Sequence, residues 1–264
     1  AILEQNASQI KVLVLGNSHA LHDLNPKYLS ENAYNLAYSS QTLDMDYLIL
    51  TKYISRMTSL KTVIIPISYF SLYKNLEDSE EKWRYKNYVL YLRVLMTFHP
   101  VKHSEVLSNS LRNNIRRIFS YYIKNENTLI CNDTGFADNY TGHDESDFNE
   151  MAVKTAQSHE LGSDKTYLKN TCLLEEICKI TAERKIRLVL INPPADPRYL
   201  KALNPVKITK NKDFSTSLCM RFPSVLYLDF SRNKDFVTDD FYDVDHLNLT
   251  GSEKLSRKLA KIIR

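Results

Sequence analysis

The feature that most constrains this chain is the recurrence, along 264 residues, of short runs dominated by aliphatic and β-branched side chains: 11–15 (KVLVL), 33–37, 61–67, 186–191 and 225–228. A strand buried on both faces of a parallel sheet has to be apolar at nearly every position, because neither face meets water. Stretches with helical spacing lie between these runs. Residues 42–57 carry Leu43, Tyr47, Leu50, Ile54 and Met57 on one stripe, and 149–185 reads as one or two helices. Residues 251–263 place Leu255, Leu259 and Ile262 on one side and lysines and arginines on the other. The alternation predicts an α/β fold with a doubly wound, flavodoxin-like, five-stranded parallel sheet between helices. Nothing in the 5 glycines and 8 prolines resembles a linker, so residues 1–264 are expected to form a single domain. The alternation fails only between about 71 and 148. That stretch reads as an insertion after strand three, mostly helical over 78–124 and polar and loop-like over 125–148.

Composition excludes several classes. The 35 basic and 31 acidic side chains leave a net charge of +4, too near balance to call for a nucleic-acid partner. Cys131, Cys172, Cys178 and Cys219 show no C-x-x-C pair and no mixed cysteine and histidine spacing, so no structural metal is expected. The apolar runs fall well short of the ~20 residues that cross a bilayer, so no span is expected in the chain as given. It begins at Ala1 rather than Met, which leads us to expect an upstream signal or anchor.

In a doubly wound fold, ligands bind outside the carboxyl ends of the strands. The first run leads straight into Gly16-Asn17-Ser18-His19, so a tight turn would expose Ser18 at that edge, with the start of the next helix able to hold an oxyanion. Read alone, Ser18 could equally be a turn serine capping a helix. Before the last helix comes D-F-Y-D-V-D-H-L-N-L-T-G, 240–251. Asp243, three residues before His246, can turn back on the imidazole and fix its tautomer. Asp245 is a rival for that role, expected to face solvent or the helix start. A capping loop, or a metal site of Asp243, Asp245 and His246, are the other readings; metal is set aside because no further ligand cluster is evident in the other crevice loops. His19 reads as a packing or surface histidine pointing away from Ser18. Ser18 is thus expected to be the one serine beside an imidazole base.

Together the blocks G-N-S-H after strand one, N-L-A-Y-S-S-Q-T after strand two and D-x-D-H-L-N-x-x-G before the last helix resemble the SGNH/GDSL hydrolase superfamily. Within it, the chain looks most like bacterial cell-envelope proteins that add or remove O-acyl groups on polysaccharides. The resemblance implies Ser18 as nucleophile, His246 as base and Asp243 as its orienting acid, with Asn17 in place of the usual aspartate. It places Ser18 and Ser40 in the oxyanion hole, Ser40 standing where the family commonly has glycine. The family's third-block asparagine is missing near 67–71, where Ser68, Ser71 or Tyr69 would have to supply a hydroxyl donor. The implied activity is serine-dependent hydrolysis or transfer of an O-acyl group, acetyl above all, on a cell-surface carbohydrate, in the periplasm or outside the cell and without a cofactor. The alternative is a catalytically weak SGNH-fold module that binds polysaccharide. Trp83, Tyr85 and Arg116 of the insertion, and Tyr199 at the crevice rim, are the expected acceptor contacts.

Overall fold

A computed structural model describes residues 2–94, 111–124, 130–143, 147–160 and 162–263. Its sheet holds five parallel strands in the order β2-β1-β3-β4-β5, with β1 Val12–Val14, β2 Ala33–Asn35, β3 Thr62–Pro66, β4 Arg187–Asn192 and β5 Val225–Asp229. Each lies inside or within a residue of an apolar run read from sequence. Tyr34, Leu13, Val63, Leu188 and Val225 lie level across the sheet. This is the order of a flavodoxin-like α/β sandwich.

Alternate side chains of the strands leave by opposite faces. Val12, Val14, Ile64, Val189 and Ile191 join one apolar cluster with Leu21, Leu255 and Leu259. Leu13, Val63, Ile65, Leu188 and Leu190 are equally buried and point to the other face. Among the helices of the described residues are α1 Ser18–Asp23, α2 Leu43–Tyr53, α3 Phe148–His159, α4 Asp164–Glu183, α5 Pro197–Ala202, α6 Pro205–Arg221 and α7 Leu249–Ile263. Helix α7 packs on α1, α4 packs on α2, and α3 packs on α5. The segment read as one or two helices over 149–185 is two, the second capped by Ser163, whose hydroxyl accepts the Thr166 N–H.

The chain divides into two compact units, one of residues 1–75 and 131–264, the other Leu76–Ile130. The smaller unit is shorter than the 71–148 stretch read from sequence. Residues 131–143 belong to the sheet unit: the Asn35 N–H donates to the Thr134 carbonyl and the Ala137 N–H to the Leu21 carbonyl. Polarity makes this segment look like part of the insertion, whereas backbone hydrogen bonds fasten it beside β2. Within the smaller unit lie a 3-10 turn at Glu80–Arg84 and helices at Tyr85–Leu90 and Leu111–Tyr122. Of the 78–124 helical reading, 78–79, 91–94 and 123–124 are turns or irregular, and 95–110 lie outside the described residues, as do 125–129 and 144–146 of the polar half.

Candidate active site

The site begins with a glycine. Gly16 follows β1 at φ +115°, and a Cβ there would meet the Pro66 ring at 2.6 Å, so only glycine permits the chain to turn this close to the end of β3. Its N–H donates to Asp46 Oδ1 at 2.8 Å, and Gln41 Nε2 donates to the same oxygen at 2.7 Å. Asp46 is therefore a buried strut between α2 and the turn. Burial pushes its carboxyl up to about 7, against the two hydrogen bonds that favour the ionised form. Asn17 then caps α1, its Oδ1 accepting the His19 N–H at 3.0 Å. Ser18 is the first residue of α1, where backbone N–H groups have no acceptor within the helix.

From the other end of the chain, the loop before α7 brings His246 Nε2 to 2.9 Å from Ser18 Oγ. Asp243 Oδ1 and Oδ2 lie 3.1 and 3.0 Å from His246 Nδ1. Asp243 Oδ1 also accepts the N–H groups of Asp245 and His246, at 3.0 and 2.7 Å, so the carboxylate is folded back by its own loop. With Nδ1–H held by Asp243, Nε2 of the neutral ring is the acceptor facing Ser18. Asp23 of α1 holds this loop from below: its Oδ1 accepts the Leu247 N–H at 2.9 Å. Burial raises the Asp23 carboxyl well above its usual range, against the pull of His246 and the Leu247 N–H.

Two expectations about neighbouring residues are overturned. Asp245 is 3% exposed rather than facing solvent, and its Oδ2 lies 3.0 Å from His19 Nε2. Its Oδ1 is 3.5 Å from His246 Nδ1, and His159 Nδ1 is 3.9 Å from Oδ2, so three imidazoles surround one buried carboxylate. His19 is buried too, with Nδ1 2.5 Å from Ser68 Oγ. Ser18 is thus not the one serine beside an imidazole.

Electrostatics separates the two histidines. Burial works against a charged His246, but Asp245 and Asp243 outweigh it and raise the ring to about 10. His19 is lowered, first by burial and then by the nearby His246, although Asp245 pulls the other way. Burial pushes toward a neutral Asp245, yet His246 and His19 hold its carboxyl far below the usual range, so it stays ionised.

The residues expected near the oxyanion hole have these surroundings. Ser40 takes φ +60°, the left-handed region where glycine is easiest, in a turn closed by the Gln41 N–H on the Tyr38 carbonyl. Ser68 and Ser71 are buried and spent locally, because Ser71 Oγ accepts the Ser68 N–H at 2.9 Å and Ser68 Oγ sits on His19. The Tyr69 hydroxyl goes to Glu160. Tyr199 is 3% exposed with its hydroxyl 2.8 Å from His159 Nδ1, which makes it a buttress of the buried cluster rather than a rim contact. Trp83 is half exposed, between Arg84 and Lys86, and Arg116 is exposed; both belong with Tyr85 to the smaller unit.

Sequence reasoning misses an aromatic column beside the site. His22, Tyr140 and Tyr242 stack with centroid distances of 3.8 and 3.9 Å, and the edges of His22 and Tyr140 meet His246. Only the position of Tyr242 next to Asp243 hints at it. His19, Asp245 and His246 also offer ligand atoms within 4.8 Å of one another, a grouping that could hold a metal ion and that the separate crevice loops do not reveal. In the structure these atoms are engaged with Ser68, Ser18, Asp243 and one another.

No family model matches the chain, and no curated protein matches it. Among solved structures, one from Streptococcus pneumonia, provisionally named a platelet activating factor, is similar over 99% of this chain and 91% of its own, at 10% identity and a TM-score of 0.44. Another from Bacteroides fragilis, provisionally named an acylhydrolase, is similar over 99% of this chain and 96% of its own, at 9% identity and a TM-score of 0.46. Likeness this remote carries no argument about chemistry, which rests on the site itself.

Proposed function

We propose that the chain is a serine-dependent ester hydrolase or acyltransferase of the SGNH type, in which Ser18 attacks an O-acyl carbonyl, His246 takes its proton and Asp243 holds the ring. The observation that carries this reading is the 2.9 Å contact between Ser18 Oγ and His246 Nε2, with Asp243 on the opposite ring nitrogen. In the reaction, Ser18 Oγ bonds to the acyl carbon and the alcohol leaves with the proton carried by His246. Water or a sugar hydroxyl then releases the acyl group by the same steps in reverse. The Ser18 N–H at the start of α1 and the Ser40 N–H in its left-handed turn are the assigned oxyanion donors.

An acetyl ester on a cell-surface carbohydrate, outside the cytoplasm, is the substrate that the sequence resemblance favours. Tyr242, half-buried at the end of the stack and next to Asp243, is the ring assigned to pack on a sugar face. A fluorophosphonate probe followed by peptide mapping tests the nucleophile: the Ser18 peptide of the native chain should be modified, and that of Ser18→Ala should not. An unmodified Ser18 peptide in the native chain would favour the second reading, a polysaccharide-binding module, which the missing third-block asparagine supports. Acetylated oligosaccharides separate hydrolase from transferase, by acetate released or acetyl moved to a second sugar.

A further inference from the structure

His19 is the centre of a second serine, histidine and carboxylate chain. Asp245 Oδ2 lies 3.0 Å from His19 Nε2, and the carboxylate accepts the proton that this ring nitrogen carries. In the neutral ring Nδ1 is then an acceptor, and Ser68 Oγ at 2.5 Å donates to it. This is the arrangement that activates a serine, with the two ring nitrogens exchanged relative to the Ser18 set. Ser68 is also held in place: its N–H donates to Ser71 Oγ, and Asn17 Nδ2 reaches both hydroxyls at 3.5 Å.

Ser68, His19 and Asp245 all border one cavity of about 40 Å³ at the carboxyl ends of β3 and β4. Its walls include Ile67, Pro194, Leu203 and Ile208, and it reaches the surface at Asn192, Ser231 and Arg232, of which Arg232 is exposed. A space this narrow suits a small acyl group better than a long chain or a sugar ring. The space is mostly apolar with an activated hydroxyl at its inner end, and Ser18 does not border it.

We infer that Ser68 is a second nucleophile, which accepts a small acyl group such as acetyl from an activated oxygen ester entering this cavity. Ser68 Oγ forms the new bond to the acyl carbon while its proton passes to His19 Nδ1. The ester C–O bond breaks, the alcohol leaves with that proton, and Asp245 stabilises the imidazolium in between. Water entering the cavity reverses the sequence and frees the acid.

The test uses the folded Ser18→Ala chain treated with p-nitrophenyl acetate, quenched in acid and mapped by peptide mass. One acetyl group is expected on the Ser68 peptide. It should vanish in Ser18→Ala/Ser68→Ala and form about a hundredfold more slowly in Ser18→Ala/His19→Gln, the loss of a general base. The octanoyl ester should leave Ser68 untouched. An unacetylated Ser68 peptide, acetylation that survives His19→Gln, or octanoyl transfer as fast as acetyl transfer would each overturn the inference. Because Ser18 and Ser68 are read on separate peptides of the native chain, failure at either one leaves the other result standing.

Discussion

Ser18 and Ser68 both face an imidazole with a carboxylate behind it, yet the two sets differ in burial, ring orientation and charge. The Ser18 set keeps some exposure, with His246 and Asp243 side chains 14% and 18% exposed, whereas Ser68, His19 and Asp245 are all nearly sealed. Ser18 meets Nε2 and Ser68 meets Nδ1. Two carboxylates press on His246, and Asp245 is the one bonded to His19. Both carboxylates act on both rings: at His246 they outweigh burial and hold it protonated up to about 10, whereas at His19 burial, with the charge of His246 added to it, wins and lowers the ring. A triad-like geometry therefore does not by itself say when its base is available; the surrounding charge does.

The sharpest way to break this comparison is to remove one carboxylate at a time. Asp243→Asn should slow Ser18 acylation by about 10³- to 10⁴-fold, since the amide cannot hold the required tautomer. Asp245→Asn should instead move the pH dependence of Ser18 acylation toward acid, because one of two charges favouring the imidazolium is gone, and it should abolish Ser68 acylation. Second-order rates with a fluorophosphonate across a pH series read both effects. Equal losses at Ser18 without a pH shift would mean that Asp245 is not felt by His246.

The next effect is that of pH itself. His246 must be neutral to accept the Ser18 proton, and its raised value means that the neutral fraction grows with pH until about 10. Ser18 acylation should rise about tenfold per unit above neutrality, while Ser68 acylation, resting on a neutral His19, should already be near its plateau. A Ser18 profile that levels off at pH 7 would show that the two carboxylates do not dominate. The same linkage has a stability sign. The protonated His246 contributes stability that is full below its unfolded value near 6.5 and is lost as pH rises toward 10.

Gly16→Ala should cost about 2–4 kcal/mol, from the strained φ and the collision with Pro66. The turns bearing Ser18 and Ser68 touch at this point, so both acylation rates should fall together; urea unfolding and peptide mapping check the two parts. Ser71→Ala is the smallest change. It removes the acceptor of the Ser68 N–H, at about 1 kcal/mol, and should slow Ser68 while sparing Ser18.

Locality decides what is legible along the chain. Each strand announces itself because a doubly covered parallel strand must be apolar, and β1 to β5 fall on the five runs. Asp243 and His246 are three residues apart, so one loop can bring them together, and Ser18 ends the first strand at the edge where such loops gather. Residues 131–143 mislead because their polarity says nothing about the backbone hydrogen bonds that tie them to β2 and α1. Asp23 and Asp46 look, along the chain, like ordinary helix-surface acids. Their roles depend on Leu247 and Gly16, which are far away in the chain.

The sequence by itself determined the layer architecture, the parallel sheet, and the edge at which Ser18 and the Asp243–His246 loop emerge, because periodicity and short spacing are properties of neighbouring residues. Only the tertiary structure decided that His19 turns inward to join Ser68 with Asp245, that Asp245 is buried among three imidazoles, and that His22, Tyr140 and Tyr242 stack beside His246. The physical reason is that these pairings join residues 49, 226 and about a hundred positions apart. Whether a polar side chain so placed is a solvent-facing cap or a buried partner is set by what the fold packs against it, and by the cost of burying it unpaired.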